Sequence, residues 1–480
     1  MNFEKEVCKQ SAEQPAYIKS EHMLRMMRAS MLRYDRALNE AHFFPIFFAE
    51  ANEIINKIDK FMGETLATPQ QCFIQSKSDT EISQYLSGLI RTVRSLPIVI
   101  KNVPHVSSTL RPTILPCKSS YDLVYHYFSD KNLDSVEQFS QKLAEALNSP
   151  NLKVYPTSSG AVIVDTSVKK ETVIQKRCEY VPYDKSLDSS IPPLQEIETP
   201  NIGTIDQLEQ FTGKSKLDLV KAVMYSVDGK LVFANIRGDL EVSEDKLRHF
   251  LGNADYDPNV KIGLAPVELL ELHGLVPGFS GLVGVKRPAE CVLLVDDSVK
   301  TVSSGVTGAD KKDYHFINFN VARDTKSIEK HIRWSDVAEN PETIQGAIVA
   351  EIDDCKDFYP EMLGLNNKPT KAPLYKVTIR ILDYIAATLG VTRKLKGAYV
   401  INVGKDETKL NLTLNELKKI CPVECIIVDN RAKPNFGGKM QIAELALMQN
   451  VIVVSNKLDA ETVSVNDKPV KIAELGTVFN

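Results

Sequence analysis

Residues 183–201, YDKSLDSSIPPLQEIETPN, gather prolines, serines and acids into a stretch without apolar periodicity, and so divide the chain into separately patterned parts. Such a break is expected: 480 residues are too many for one hydrophobic core and suggest about three domains. A second polar stretch, GLNNKPTKAP at 364–373, reads as a further loop or linker. Hydrophobic residues make up 43% of the chain and the formal net charge is -4, so no global basic field points to DNA, and any RNA contact has to be a local patch. The first residues, MNFEKEVCKQSAEQP, carry charge with no apolar run behind them, against a secretory leader. The most hydrophobic short run, FFPIFFA at 43–49, falls far short of the roughly 18 apolar residues that span a bilayer. A cytoplasmic protein without membrane contact is therefore expected. Its cysteines, at 8, 72, 117, 178, 291, 355, 421 and 425, are scattered without metal-ligand spacing, so reduced thiols and no metal are expected, with Cys291 buried.

Along the chain, SEHMLRMMRASMLRYDRALNEAHFFP from Ser20 reads as one helix with Met23, Met27, Met31, Tyr34 and Leu38 on a stripe. EISQYLSGLIRTVRSLPIVIKNV reads as a helix running into a strand, YDLVYHYF as a strand, DSVEQFSQKLAEAL as an amphipathic helix, and AVIVD and ETVIQ as strands. The first third is thus mixed α and β, weighted to antiparallel strands. Beyond the break, TIDQLEQF is a helix capped by Thr204 or Asp206, a second short helix follows, and Asp228 and Gly229 close a hairpin. From Ala398 the order AYVINV, TLNELKKI, ECIIVD, KMQIAELALMQ, VIVVS alternates strand and helix, which predicts a small α/β domain with a mainly parallel sheet. Its loop DNRAKPNFGGK collects Arg431, Lys433 and Lys439 beside Gly437 and Gly438, where a solvated loop and a phosphate contact are equal alternatives.

DYHFINFNVARD, residues 313–324, poses a sharper question. Strand alternation puts His315 on one face with Ile317, Phe319 and Val321, so an imidazole faces inward. A lone inward histidine is ordinarily core packing with both ring nitrogens satisfied.

The ordered pieces TIDQLEQF, LVKAVMY, DGKLVFANIRGD, EDKL, PGFSGLVG, LLVDDSV and DYHFINFNVARD, over residues 200–325, together resemble the inserted editing domain of bacterial-type prolyl-tRNA synthetase, which is related to free-standing aminoacyl-tRNA deacylases. The resemblance implies that Lys221 contacts the terminal adenosine of tRNA, that Asp296 and His315 shape the editing pocket, and that Gly278 and Gly281 belong to its glycine loop, whose closing proline is Leu282 here. VDNRAKPNFGGKMQIAELALMQNVIVV is similar to the anticodon-binding domain of the same synthetases, which would turn Arg431, Lys433 and Lys439 toward RNA. The first third resembles their class II catalytic core through TEISQYLSGLIRTVRSLPIVI and LRPT, but with departures. HVSSTLRPT stands where a Phe-Arg-x-Glu strand end should grip the ATP α-phosphate, and Arg111 belongs to a later step. PLYKVTIRILDYIAATLG lacks the glycines of the third motif although it holds Arg380, AVIVDTSVKKETV replaces a glycine-rich wall, and Ser78 and Thr80 replace the proline-amine ligands.

The resemblance therefore implies a degenerate class II antiparallel-sheet core at 1–195 and 326–395, an inserted α+β editing domain at 196–325, and an α/β anticodon-binding-like domain at 396–480. No credible nucleophile triad lies in residues 200–325, so ester hydrolysis would rest on a positioned water, the tRNA ribose hydroxyl and backbone amides of the Gly278 loop. The expected activity is deacylation of mischarged tRNA, alanyl on proline tRNA, without amino-acid activation. The alternative is a non-catalytic tRNA-binding or regulatory pseudo-synthetase, and a working proline-tRNA ligase stands third. The expected partner is tRNA, the expected assembly a homodimer, and no cofactor is expected because the altered core argues against ATP and magnesium.

Overall fold

The computed structural model describes residues 18–72, 83, 84, 88, 90–109, 113–129, 132, 133, 135–176, 191–227, 229–252, 262–283, 285–404, 406–431 and 435–479. The chain forms two compact units, Met1–Thr172 with Ile344–Asn480, and Val173–Thr343. Among the described residues no helix is long and apolar enough to cross a membrane.

The first unit is built on a sheet whose strands run in the order Pro69–Cys72, Ile98–Asn102, Ser119–Phe128, Leu374–Arg380, Ala347–Asp354, Gly160–Asp165 and Leu152–Pro156. Every pairing is antiparallel except the first. The helix Pro45–Thr65, started by a proline at its first position, buries Phe47, Ala51, Ile54, Ile58 and Met62 in one core with Leu123 and Tyr125 of the sheet. Buried Tyr125 satisfies its hydroxyl on Asp59 at 2.8 Å.

The same unit holds a second sheet of Ile426–Asp429, Leu395–Asn402, Met448–Val454, Thr462–Val465 and Lys468–Lys471. Its first three strands are parallel, as their spacing predicts, and helices Glu407–Ile420 and Phe436–Leu445 join them. The last two add an antiparallel hairpin, turned by Asn466 and Asp467 with φ of 49° and 67°. Tyr399, Ile401, Ile442 and Met448 join the core of the larger sheet, so the two sheets are one packed body.

Two expectations fail here for local reasons. The helix expected from Ser20 to Leu38 is capped by Ser20 but stops at Arg28, because Ser30 turns into the left-handed region (φ 56°) and Leu32–Asp35 pairs with Glu40–Phe43 as a hairpin. Met23 and Met31 are buried all the same, while Leu38 lies exposed at the turn. The expected linker at 364–373 is the turn and return strand of another hairpin, Glu361–Leu363 with Pro369–Lys371.

The second unit contains a five-stranded sheet in the order Ile262–Leu264, Val220–Val227, Lys230–Arg237, Val292–Asp296 and Ile332–Ser335. Alternation sorts its side chains cleanly. Val220, Leu231, Phe233, Leu293 and Val295 face one core, and Tyr225, Val232, Ala234, Ile236 and Leu294 face another. The helix Ile205–Thr212 is capped by Thr204, with Gln207 completing a capping box. A three-stranded antiparallel sheet, Gln195–Glu198, Tyr314–Phe319 and Gly305–Gly308, lies beside the first, and Leu219 bridges to Val306. Of the polar stretch at 183–201, residues 183–190 lie outside the described residues and Gln195–Glu198 is a strand. The strand Ala338–Gln345, paired to Glu241–Val242, carries the unit beyond residue 325.

Candidate functional site: a glycine loop pinned to a buried histidine

The helix Val267–His273 ends at Gly274 in the left-handed region (φ 70°), and the chain runs from there into the loop Val276–Leu282. Gly278 takes φ 81°, a conformation that favours glycine. Ser280 closes the loop on itself by accepting from the Val276 amide at 2.7 Å. A Cβ on Gly281 would stand 2.5 Å from the Gly308 carbonyl oxygen and 2.6 Å from the Thr307 hydroxyl, so the loop's backbone lies directly against the Gly305–Gly308 strand. Only glycine permits that approach.

His315 pairs with Gly308 and Ile197 in the three-stranded sheet and is 4% exposed. Its Nδ1 lies 2.7 Å from the Thr199 hydroxyl, its ring hydrogen-bonds the Gly278 backbone, and its centroid is 5.4 Å from the Phe279 ring. Burial drives its pKa down to about 4, against the opposing pull of the Gly278 hydrogen bond, so the ring is neutral at pH 7. A neutral ring held through both polar contacts suits a wall that measures a substrate better than a base that takes its proton.

The expected face of His315 needs correction. Asn318 sits in the left-handed region (φ 60°), and the pairing jumps from Val306–Ile317 to Gly305–Phe319. Alternation ends at this bulge. Ile317 packs with Leu208, Leu219 and Val306, while Phe319 and Val321 join the core that contains Leu282 and Phe233. Leu282, in place of the expected proline, is 1% exposed and fills that core.

His315, Gly278 and Gly281 are thus brought together, whereas the side chains of Lys221 and Asp296 are engaged by other partners. Lys221 alternates to the face of Val223 and Tyr225, opposite Val220 and Ala222, and pairs with Glu241 at 2.7 Å. Asp296 is fully buried at its strand end: one oxygen accepts from the Ser298 amide at 2.8 Å, the other from Val337 and Ala338 at 2.7 and 2.8 Å. These bonds make it a brace for the turn. Sequence reading missed Thr199 and Asp310, the latter accepting from the Gly281 amide at 3.2 Å; their only sequence signal is position, beside one strand and five residues before His315. Cys291, expected buried, is half-buried with its sulfur 3.6 Å from the Arg287 carbonyl, and burial pushes its thiol up to about 11.

Arg431 and Lys439, beside the C-terminal sheet, are also turned inward. Arg431 grips Asp429 with Nε and Nη2 at 2.9 and 2.7 Å, and buried Lys439 reaches the same residue's carboxylate at 3.7 Å and carbonyl at 3.3 Å. Asp429 is fully buried; burial pushes its pKa up, and the Arg431 hydrogen bonds and charge outweigh it and hold the carboxyl low. Two of the three cations expected to face RNA therefore neutralise a buried carboxylate, and Lys433 lies outside the described residues. So do Ser78, Thr80 and Arg111, while Arg380 is ion-paired with Glu351.

The depressed His315 pKa carries a stability consequence. Above about pH 6.5 the ring is neutral folded or unfolded; as pH falls toward 4 the unfolded chain takes the proton first, so stability is lost across that window, by at most about 3 kcal/mol. Asp310, raised to about 6, opposes this between its unfolded value and pH 6. Thermal unfolding of wild type and His315→Gln at pH 7 and about pH 4.5 checks the sign: the wild type should lose more stability on acidification than the variant.

Residues 199–324 match the family model of the aminoacyl-tRNA editing domain. Proline–tRNA ligase of Bacillus licheniformis is 32% identical over 145 residues, 30% of this chain and 24% of the relative. The Halothermothrix orenii enzyme of that name is 27% identical over 277 residues, 52% of this chain and 47% of the relative, and the Brachyspira hyodysenteriae enzyme 35% over 133 residues, 27% and 22%. The chain therefore matches less than half the length of each of these relatives. A solved prolyl-tRNA synthetase from Cryptosporidium parvum, complexed with L-proline and AMP, aligns over 95% of this chain and 76% of its own at 11% identity and a TM-score of 0.41, a likeness too loose to argue from. The segment that holds the glycine loop and His315 thus matches the aminoacyl-tRNA editing domain. The chain that carries it is prolyl-tRNA synthetase-like.

Proposed function

We propose that this protein hydrolyses the ester of mischarged aminoacyl-tRNA, with alanyl on proline tRNA as the leading substrate. The observation that carries the reading is the Gly278–Leu282 loop fixed against neutral His315 and Phe279, a wall of backbone and two rings that suits a small side chain. A synthetase pocket shaped for proline rejects a smaller amino acid weakly, because each missing methylene is worth only about 1–3 kcal/mol, so a second site that admits the smaller product has a use.

In this reading a water oxygen attacks the ester carbonyl carbon, the ribose oxygen leaves with a proton, and free amino acid and uncharged tRNA result. The Gly281 amide is committed to Asp310, so carbonyl polarisation falls to other amides of the loop. His315 limits size, Lys221 serves the terminal adenosine that carries the ester, and Asp296 supports the turn at the end of its strand. The altered core motifs support a chain without amino-acid activation, and tRNA binding without hydrolysis is the second reading. Homodimerisation and a cytoplasmic site of action complete the proposal.

A His315→Ala variant tests the gauge. Opening the wall should let prolyl-tRNA be cleaved at a rate approaching that of alanyl-tRNA, read by single-turnover ester loss. Unchanged discrimination in a folded variant would remove His315 from the site. Proline-dependent exchange of pyrophosphate into ATP by the wild type would overturn the absence of activation.

A further inference from the structure

We propose that Asp310 is a positioning residue for the editing site: its carboxyl group fastens the Gly278–Leu282 loop to the strands that carry Gly308 and His315. The inference rests on the deacylase reading for what the loop does, but the fastening itself can be measured without any hydrolysis.

Asp310 is tied to the loop in both directions. Its Oδ1 accepts from the Gly281 amide at 3.2 Å, the Ser280 hydroxyl donates to the same carboxylate, and its own amide donates to the Phe279 carbonyl at 2.9 Å. Three consecutive loop residues are thus held by one side chain and its backbone. Asp310 occupies the left-handed region (φ 53°), where aspartate and asparagine are tolerated and most side chains are not. The interlocked glycines leave no space for a substitute tether, since a Cβ on Gly281 would meet Gly308 and one on Gly308 would meet Phe279 and Ser280.

The setting couples this fastening to pH: a carboxyl whose pKa is higher in the fastened loop than in the released one favours the fastened state when it takes a proton. Burial raises the Asp310 carboxyl to about 6, opposed by the Gly281 and Ser280 hydrogen bonds and by the Lys286 charge. Lys286 is the cation facing it from the segment after the loop. His315 on the adjoining strand is neutral in this range; Lys311 is engaged with Glu196 and the Tyr314 ring, and Asp313 accepts from the Asn201 amide. The carboxylate is therefore ionised at neutral pH against the cost of burial, as expected of a group kept for function.

The test follows amide hydrogen exchange of the segment 276–283 in the full chain from about pH 5 to about pH 7.5, corrected for intrinsic exchange. In the wild type, protection at Gly281 should rise as pH falls below about 6, by up to roughly 10-fold per pH unit. Asp310→Asn, which keeps an accepting oxygen and tolerates the left-handed backbone, should stay protected throughout; Asp310→Ala should be unprotected throughout. Single-turnover hydrolysis of alanyl-tRNA should persist in Asp310→Asn and be slow at every pH in Asp310→Ala. Gly281 protection in the wild type that does not rise on acidification, or protection in Asp310→Ala equal to that of the wild type, would overturn the proposal. Exchange as expected with no hydrolysis at all would leave the fastening standing and remove the deacylase reading instead.

Discussion

Gly308→Ala abolishes the proposed ester hydrolysis, by about 100-fold or more, while the chain still folds. The added Cβ would land on the Phe279 carbonyl and 2.5 Å from the Ser280 carbonyl carbon, so backbone must move on one side or the other. The side that moves is the loop, because Gly308 is held in register with His315 across the strand pair. Overpacking of this kind costs about 1–3 kcal/mol, which a unit with two apolar cores can absorb. Catalysis cannot absorb it, since a shift of about 1 Å in positioning groups costs about 100-fold. Circular dichroism and single-turnover cleavage of alanyl-tRNA check the two halves. Wild-type cleavage by the variant would show that the loop–strand contact is not the site.

Asp429→Ala unfolds the C-terminal sheet far more readily than any nearby surface change, by about 3–5 kcal/mol. Truncation strands two cations, Arg431 and buried Lys439, which were neutralised by this one carboxylate, and removes the acceptor of the buried Tyr399 hydroxyl at 3.0 Å. Since the folded pKa of Asp429 is depressed, its contribution is present above the ordinary carboxylate range and is lost as pH falls through the folded value. Urea unfolding at pH 7 measures the effect. If the variant unfolds like the wild type and loses only tRNA affinity, Arg431 and Lys439 face RNA after all.

The difference between what was legible and what was not is physical. Periodicity carried the three parallel strands after Ala398, and a capping residue at Thr204 or Asp206 carried Ile205–Thr212, because local bonding alone decides them. The inward turn of His315 was legible from alternation over a few residues. Its neighbours were not: the bulge at Asn318 needs a left-handed asparagine, which the sequence permits without requiring, and it sends Phe319 to another core. The same holds for Ser30, which ends a helix that the methionine stripe continues in sequence alone. Asp310 was invisible because its partners, Phe279 to Gly281, lie some thirty residues away, as the 29-residue separation of its bond to Gly281 shows. Arg431 and Lys439 misled for a simpler reason. Lysines and arginines in such a stretch usually reach solvent, and only the burial of Asp429, two residues from Arg431 and ten from Lys439, turns them inward.

The central claim is that the editing domain clears a small amino acid and spares proline. Purified wild-type protein incubated with proline tRNA charged with alanine, and separately with proline, tests it most directly by single-turnover loss of the ester. The account predicts rapid hydrolysis of the alanyl ester and a prolyl ester that decays at the uncatalysed rate. Decay of both at the uncatalysed rate, with no other small amino acid removed faster, would contradict it.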